Sequence, residues 1–366
     1  MSLKVGIVGL PNVGKSTIFN ALSGLEAPSE NFPFCTIEPN RAIVEIPDKR
    51  LNTISKYIST NKITKTAIEF VDIAGLVSGA SKGEGLGNKF LSHIRDVDAI
   101  IHVIRCFEDD NIVHVNGKLN PIQDISIIDT ELILKDIETV ETRIKKVEKQ
   151  SKSGDKESKY EYELLNQILN QLYSDNPVHR LKDLDQKSKK IIRSFNLLTN
   201  KPVLYVANIS EQNIKTSSNN ALIELENYIK EGNSKVIKIC GDIEMQLSTM
   251  SDDEKKLFLE DYGLNESGLN RVILKAYDLL NLQTYFTAGE KEIRAWTIKK
   301  GMNAPQAAGI IHSDMERGFI KAEIYHLNDL IELQSESQIK NNGKIRLEGK
   351  DYIVNDGDII FFKFNV

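Results

Sequence analysis

Cysteine is scarce. Cys35, Cys106 and Cys240 are the only three, they lie far apart, and no pair has metal-ligand spacing. An odd count without such spacing excludes a disulfide framework and a cysteine-based zinc site. Long hydrophobic runs are missing as well: nowhere do about 18 apolar residues follow one another, as a membrane-spanning helix requires. Met1-Ser-Leu-Lys-Val5 leads directly into an apolar strand pattern rather than a signal peptide. These absences point to a soluble protein of a reducing compartment, most simply the cytoplasm, with no membrane partner. An excess of basic charge is lacking too, since 47 Lys and Arg face 52 Asp and Glu. That excludes a uniformly basic nucleic-acid coat and leaves room for a local basic patch. Against these absences stand 366 residues, 40% of them hydrophobic, enough for a sizeable core and for two or three domains.

Short β-branched runs alternate with helical patterns along the first part of the chain. Lys4–Val8, Ala42–Ile46, Ala67–Val71, Ala99–Ile104, Val203–Ala207 and Val236–Ile239 are nearly all apolar. Such runs fit strands buried on both faces of a doubly wound, mostly parallel α/β sheet. Between about Asp129 and Asn200 the strands stop. Ile133, Ile137, Val140, Ile144 and Val147 recur at helical spacing, and after a polar break Tyr160, Leu164, Leu165, Ile168 and Leu172 do the same. The pattern predicts two antiparallel helices inserted into the sheet domain and projecting from it. From Arg143 to Lys159 seven basic residues oppose three acidic ones, either a solvated face or a contact for RNA. After about Leu282 the pattern changes again. Arg294–Ile298, Lys321–Tyr325, Tyr352–Val354 and Ile359–Phe364 read as strands, and Val354–Asp358 as a tight turn, of a small α+β domain.

Gly9-Leu-Pro-Asn-Val-Gly14-Lys15-Ser16 fits G-x-x-x-x-G-K-[ST] between a strand and a helical run. That context makes it a phosphate loop: glycines let the backbone wrap an anion, and the helix N-terminus aims amides at it. Asn12, Val13, Gly14, Lys15, Ser16 and Thr17 are therefore expected nucleotide-binding residues. Lys15 would reach the β- and γ-phosphates, and the Ser16 hydroxyl would ligate Mg²⁺. Asp72-Ile-Ala-Gly75 closes a later strand, placing Asp72 to hold Mg²⁺ and the Gly75 amide to meet the γ-phosphate. Thr36, in the loop-like stretch Asn31–Thr36, could give the metal a second hydroxyl when that loop closes as a switch.

Asn208-Ile-Ser-Glu211 stands where a guanine-reading protein of this kind carries Asn-Lys-x-Asp. There the aspartate accepts from guanine N1–H and the exocyclic amine. With Ile209 and Glu211 in those positions the guanine reader is damaged, and adenine lacks the two donors it served. Asn208 and the Ile209 backbone remain base-side candidates, and Cys240-Gly241 would form the last base-side loop.

At this level of detail the chain resembles the YchF family, the Obg-like ATPases among the translation-factor P-loop NTPases. The resemblance is carried by Gly6–Asn20, Asn31–Asn40, Phe70–Asn88 with Gly-Ala-Ser-Lys-Gly-Glu-Gly-Leu-Gly, Cys106–Val115, Leu279–Gly289, Arg294–Ile298, Ala304–Gly309 and Asp351–Val354. It spans essentially the whole chain. It implies a nucleotide-binding domain (1–128 plus 201–283), a helical coiled-coil insertion (129–200) and a C-terminal TGS domain of β-grasp type (284–366). It also implies ATP preferred over GTP, and association with ribosomes. RNA contact through the insertion or the TGS domain, and a monomeric state, complete the expectation.

Many relatives place a glutamine after Asp-x-x-Gly to orient the attacking water. Here that residue is Leu76, which cannot hydrogen-bond, so slow intrinsic turnover is expected. The resemblance suggests a nearby histidine, for which His114 is the candidate and His93 the competitor. Asn12 could hold K⁺ beside the phosphates or merely support the loop. The expected chemistry is hydrolysis of ATP to ADP and phosphate, with a GTPase of the Obg type or a non-hydrolysing nucleotide-dependent adaptor as alternatives.

Overall fold

Runs of β-branched residues become the strands of a sheet with both faces covered. In space the six strands run Arg41–Glu45, Ala67–Asp72, Lys4–Val8, Ala99–Arg105, Val203–Asn208 and Val236–Ile239. Lys4–Val8 pairs in parallel with both Ala67–Asp72 and Ala99–Arg105, and the pairings onward to Val203–Asn208 and Val236–Ile239 are parallel too. Val5, Ile7, Ile101, Val103 and Ile104 are at most 1% exposed. This is a P-loop α/β fold of the kind expected from the strand pattern. The register sets Ile7 beside Asp72 and Arg105 beside Asn208. The carboxyl ends of the central strands thus gather where the winding reverses about Lys4–Val8, the usual place for a ligand in such a sheet.

The computed structural model describes residues 3–26, 40–73, 86–109, 119–215, 219–231 and 236–365. Among these, two compact units form, the first from described residues of 3–24, 40–42 and 69–272, the second from 25–26, 43–68 and 273–365. No helix among the described residues is long and apolar enough to cross a membrane.

Within the first unit the helical segment starts earlier and is larger than its periodicity suggests. Asn120 accepts from the Gln123 amide as N-cap and Pro121 occupies the first turn, so one helix runs Pro121–Lys152, over 32 residues. A second, Lys156–Tyr173, is capped by Asp155, and a third, Gln186–Phe195, by Asp185. Ile133, Val140 and Val147 of the first helix pack with Leu165, Ile168 and Leu172 of the second and Ile192 of the third. Buried Asp136 ties the segment to the chain returning to the sheet. Its carboxylate accepts from the Leu198 amide (2.9 Å), the Thr199 amide (2.8 Å) and the Thr199 hydroxyl (2.7 Å). Burial pushes the Asp136 carboxyl up, and those three donors pull it back toward the charged form.

The second unit is built on a mixed sheet, ordered Arg346–Glu348, Phe319–His326, Asp358–Phe364, Leu282–Thr287, Ile293–Lys299, Ile63–Thr64. One face carries Tyr285, Ile298, Ala322, Ile324 and Phe362 under the helix Ala304–Ile311. The other packs Phe286, Ile293, Tyr325 and Ile359 with Leu51, Ile54 and Leu330. Residues 43–68 were expected inside the nucleotide-binding block 1–128. Instead Ile63–Thr64 pairs with Ile293 and Arg294, and Leu51 and Ile54 bury their side chains in this core. Tyr352–Val354 is not a strand; only an isolated bridge joins Ile353 to Asn303. The turn after it is as expected, with Gly357 at φ +90° and the Asn355 amide bonded to Asp358.

Asp136→Ala leaves buried amide donors without an acceptor. It should lower stability by about 3 kcal/mol in urea unfolding. Glu138→Ala, removing an exposed partner of Lys135 on the same helix, should cost under about 1 kcal/mol. Equal losses would contradict the role given to Asp136.

Candidate nucleotide site

Backbone geometry makes the phosphate loop. After the strand Lys4–Val8 the chain passes so close to its neighbour that a Cβ on Gly9 would lie 2.7 Å from the Val103 carbonyl oxygen. Asn12 (φ +64°) and Gly14 (φ +87°) are left-handed, the second at the N-cap of the helix Lys15–Ser23. Gly14 has no side chain to cap that helix, so its first-turn amides keep their capacity for an anion. Those amides, with the helix dipole, make a positive field that net charge does not report.

Lys15 opens the helix, and its ammonium forms an ion pair with Asp72, the last residue of Ala67–Asp72. Both side chains are mostly buried, at 11% and 15% exposure. Two sequence-expected residues, 57 positions apart, therefore meet as the sheet register requires. Ser16 lines the adjoining cavity. Its hydroxyl and the Asp72 carboxylate are hard oxygen donors, the chemistry Mg²⁺ selects, so the residues present fit that ion.

Asn208 carries more of the site than its sequence context suggested. It is 5% exposed at the end of Val203–Asn208. Its Nδ2 donates to the Val13 carbonyl (3.0 Å), and its Oδ1 accepts from the Gly241 amide (3.0 Å). Its own carbonyl accepts from the Cys106 amide (2.8 Å). One side chain thus joins the phosphate loop to the first residue of the helix Gly241–Ser248. A Cβ on Gly14 would lie 2.1 Å from Asn208 Nδ2. The glycine therefore serves both its backbone conformation and this close approach.

A cavity of 710 Å³ opens over this clamp. Asn12, Gly14, Lys15, Ser16 and Thr17 line one part, and Ile209, Ser210, Glu211, Gly241 and Asp242 another. Phe107, Glu108 and Asp109 form a wall that sequence reasoning missed. Buried Arg105 holds that wall, donating to the carbonyls of Phe107 (3.0 Å) and Asp109 (3.3 Å) with its guanidinium 4.6 Å from the Phe107 ring centroid. An arginine at the end of an apolar strand was the available signal. The Ile209 amide is bonded to the Ile239 carbonyl (2.8 Å), so a main-chain contact from Ile209 to a ligand falls to its carbonyl. Glu211 Oε1 accepts from the Tyr262 hydroxyl (2.6 Å). Cys240 is buried, which pushes its thiol up and away from reactivity.

Thr36, Gly75, Leu76 and His114 lie outside the described residues. His93, the other histidine candidate, is exposed on the helix Leu86–Arg95 and lines a separate 560 Å³ cavity with Asp72, Asn40 and Arg41.

Comparison with known proteins fits this geometry. A family model of 50S ribosome-binding GTPases matches residues 4–136. The YchF-GTPase_C model, described as a protein of unknown function, matches residues 282–365. The chain is 53% identical to the ribosome-binding ATPase YchF of Bacillus subtilis over 367 residues, covering all of both chains. It is 51% identical over 368 residues to the protein of the same name from Haemophilus influenzae, again with full coverage. The solved structure of the Schizosaccharomyces pombe YchF GTPase superposes with a TM-score of 0.90 at 38% identity, over 99% of this chain and 98% of that one.

Gly14→Ala should weaken nucleotide binding by at least about tenfold while leaving the circular dichroism spectrum unchanged. The added methyl collides with Asn208 and forces an unfavourable backbone angle. Wild-type affinity in this variant would contradict the clamp.

Proposed function

The chain belongs to the YchF family, and from that premise we propose that it is a ribosome-associated, nucleotide-dependent switch that hydrolyses ATP to ADP and phosphate. The observation that carries the choice of nucleotide is Glu211. It stands where a guanine reader needs an aspartate, and one of its oxygens is taken by Tyr262. Guanine would bury two donors against a compromised acceptor, whereas adenine lacks both. The relatives bear two names, ATPase for those of Bacillus subtilis and Haemophilus influenzae and GTPase for that of Schizosaccharomyces pombe, so GTP is the reading to test against.

In the proposed reaction water attacks the γ-phosphorus in line. Lys15 leaves Asp72 for the β- and γ-phosphates, and the first-turn amides receive the phosphate oxygens. Mg²⁺, held by Ser16, Thr36 and Asp72, supplies charge neutralisation when bound. The protein's part is position and field rather than covalent chemistry. The Gly75 amide would meet the γ-phosphate. With Leu76 in place of a hydrogen-bonding residue, His114 would orient the water. Asn12 would hold K⁺ near the phosphates.

The ribosome reading rests on the names of the relatives. Contact with RNA would come through the helical segment or the C-terminal domain, which we take as a TGS domain. Arg143 and Lys152 are committed to Glu161 and Glu148, so such a contact would draw more on the other lysines of that stretch. As working divisions we take 129–200 as the helical insertion, 284–366 as the TGS domain and 1–128 plus 201–283 as the nucleotide-binding part, less residues 43–68, which pack with the C-terminal sheet, and a monomer as the working state.

Affinities for ATP and GTP, measured side by side with Mg²⁺, should favour ATP by roughly tenfold or more. Under single-turnover conditions ATP should be cleaved, and His114→Ala should slow cleavage roughly tenfold or more without matching loss of affinity. Tighter binding of GTP would overturn the choice of nucleotide, and unchanged cleavage would remove His114.

A further inference from the structure

Tyr262 belongs to no motif identified in the sequence, yet it touches the residue that stands at the guanine-reading position. It follows directly on the helix Asp252–Asp261, whose start is fixed by a capping box between Ser251 and Glu254. Its ring is held on several sides. Phe258 lies 4.9 Å away between ring centroids, and the Lys215 ammonium sits 4.9 Å from its centroid. The ring also packs against the small core of Cys240, Ile243 and Leu247, directly behind the Cys240-Gly241 loop. The ring contacts set where the hydroxyl lies, although its bond to Glu211 is exposed to solvent.

That hydroxyl donates to Glu211 Oε1 at 2.6 Å, a short charge-assisted bond. The bond to Glu211 holds the phenol above its usual range. Recognition of guanine by a carboxylate uses both oxygens, one for N1–H and one for the exocyclic amine. With Oε1 already accepting from Tyr262, that bond fixes how the carboxylate is turned and leaves only Oε2 unshared. A glutamate is also a methylene longer than an aspartate, which lets its carboxylate reach Tyr262 from the loop after Val203–Asn208.

We infer that Tyr262 is a specificity-determining positioning residue, which holds Glu211 away from bidentate contact with guanine and so biases the site against GTP. The inference rests on the reading of this site as one that prefers ATP. Tyr262 acts through Glu211 and makes no claim on the phosphates or the reacting water. Replacing it by phenylalanine keeps the ring and its packing and removes only the donor.

The test uses the full chain and direct binding of ATP and GTP to four proteins: wild type, Tyr262→Phe, Glu211→Gln and the double variant. Tyr262→Phe should shift the ratio of the two affinities toward GTP by about threefold or more, as expected for the loss of a hydrogen bond to a charged group. In the Glu211→Gln background the same change should leave the ratio within about 1.5-fold, because no carboxylate remains to be released. A merely structural tyrosine would weaken both nucleotides together and leave the ratio where it was. An unshifted ratio in Tyr262→Phe, or an equal shift with and without Glu211, overturns the inference. The wild-type ratio tests the underlying reading separately: tighter GTP binding by the unaltered protein overturns ATP preference itself.

Discussion

The site depends on one buried amide. Asn208 sits at the end of a central strand, where it can bond the Val13 carbonyl on one side and the Gly241 amide on the other. One partner is a carbonyl of the phosphate loop and the other the first amide of a helix, which has no acceptor within its own helix. An asparagine suits this post because it carries a donor and an acceptor on one planar group, matched here to one carbonyl and one amide. An aliphatic residue of similar size would leave both groups unpaired in a place closed to water. The left-handed turn at Gly14 belongs to the same constraint, since only a residue without a Cβ lets the loop approach so near.

A second buried polar seam extends from the sheet toward the helical segment. Asp136 gathers the amides of Leu198 and Thr199, and His179 Nδ1 lies 3.0 Å from the Thr199 carbonyl. Lys201, two residues further on, donates to the Arg95 carbonyl (3.0 Å) and to that of Val97. Those carbonyls are at the last residue of the helix Leu86–Arg95 and two residues beyond it. Burial lowers the Lys201 ammonium, and its carbonyl acceptors keep it satisfied. The long helix Pro121–Lys152 is thereby fastened, near its middle, to the segment that leads into Val203–Asn208.

The phosphate loop could be read from the chain because its chemistry needs particular residues at fixed spacing: glycines for close approach, then Lys15 and Ser16 at a helix start. The strands of the parallel sheet were legible for a related reason, since burial on both faces leaves runs with little polar interruption. Tertiary pairings were not legible. Leu51 and Ile54 pack in the second unit, and nothing local in the chain names that partner. The strand Leu282–Thr287 was obscured by Gln283 and Thr284, buried polar residues satisfied by the Val354 carbonyl and by Tyr277. The early start of the helix is marked by the cap Asn120 and by Pro121 in the first turn, whereas the regular apolar spacing begins only at Ile133. Asn208 was placed by its motif, but its bond to Gly241 joins residues 33 apart and no local pattern encodes it.

Hydrogen exchange of the intact protein, with and without ATP and Mg²⁺, probes the central claim that the phosphate loop and the helix start at Gly241 form one site through Asn208. Binding should slow exchange together at the amides of 12–17 and at those of 209–211 and 241–243. In Asn208→Ala, protection of the second group should fall even at nucleotide concentrations that still protect the first. Protection confined to 12–17 in the wild-type protein, with the second group exchanging as in the free chain, would contradict the account.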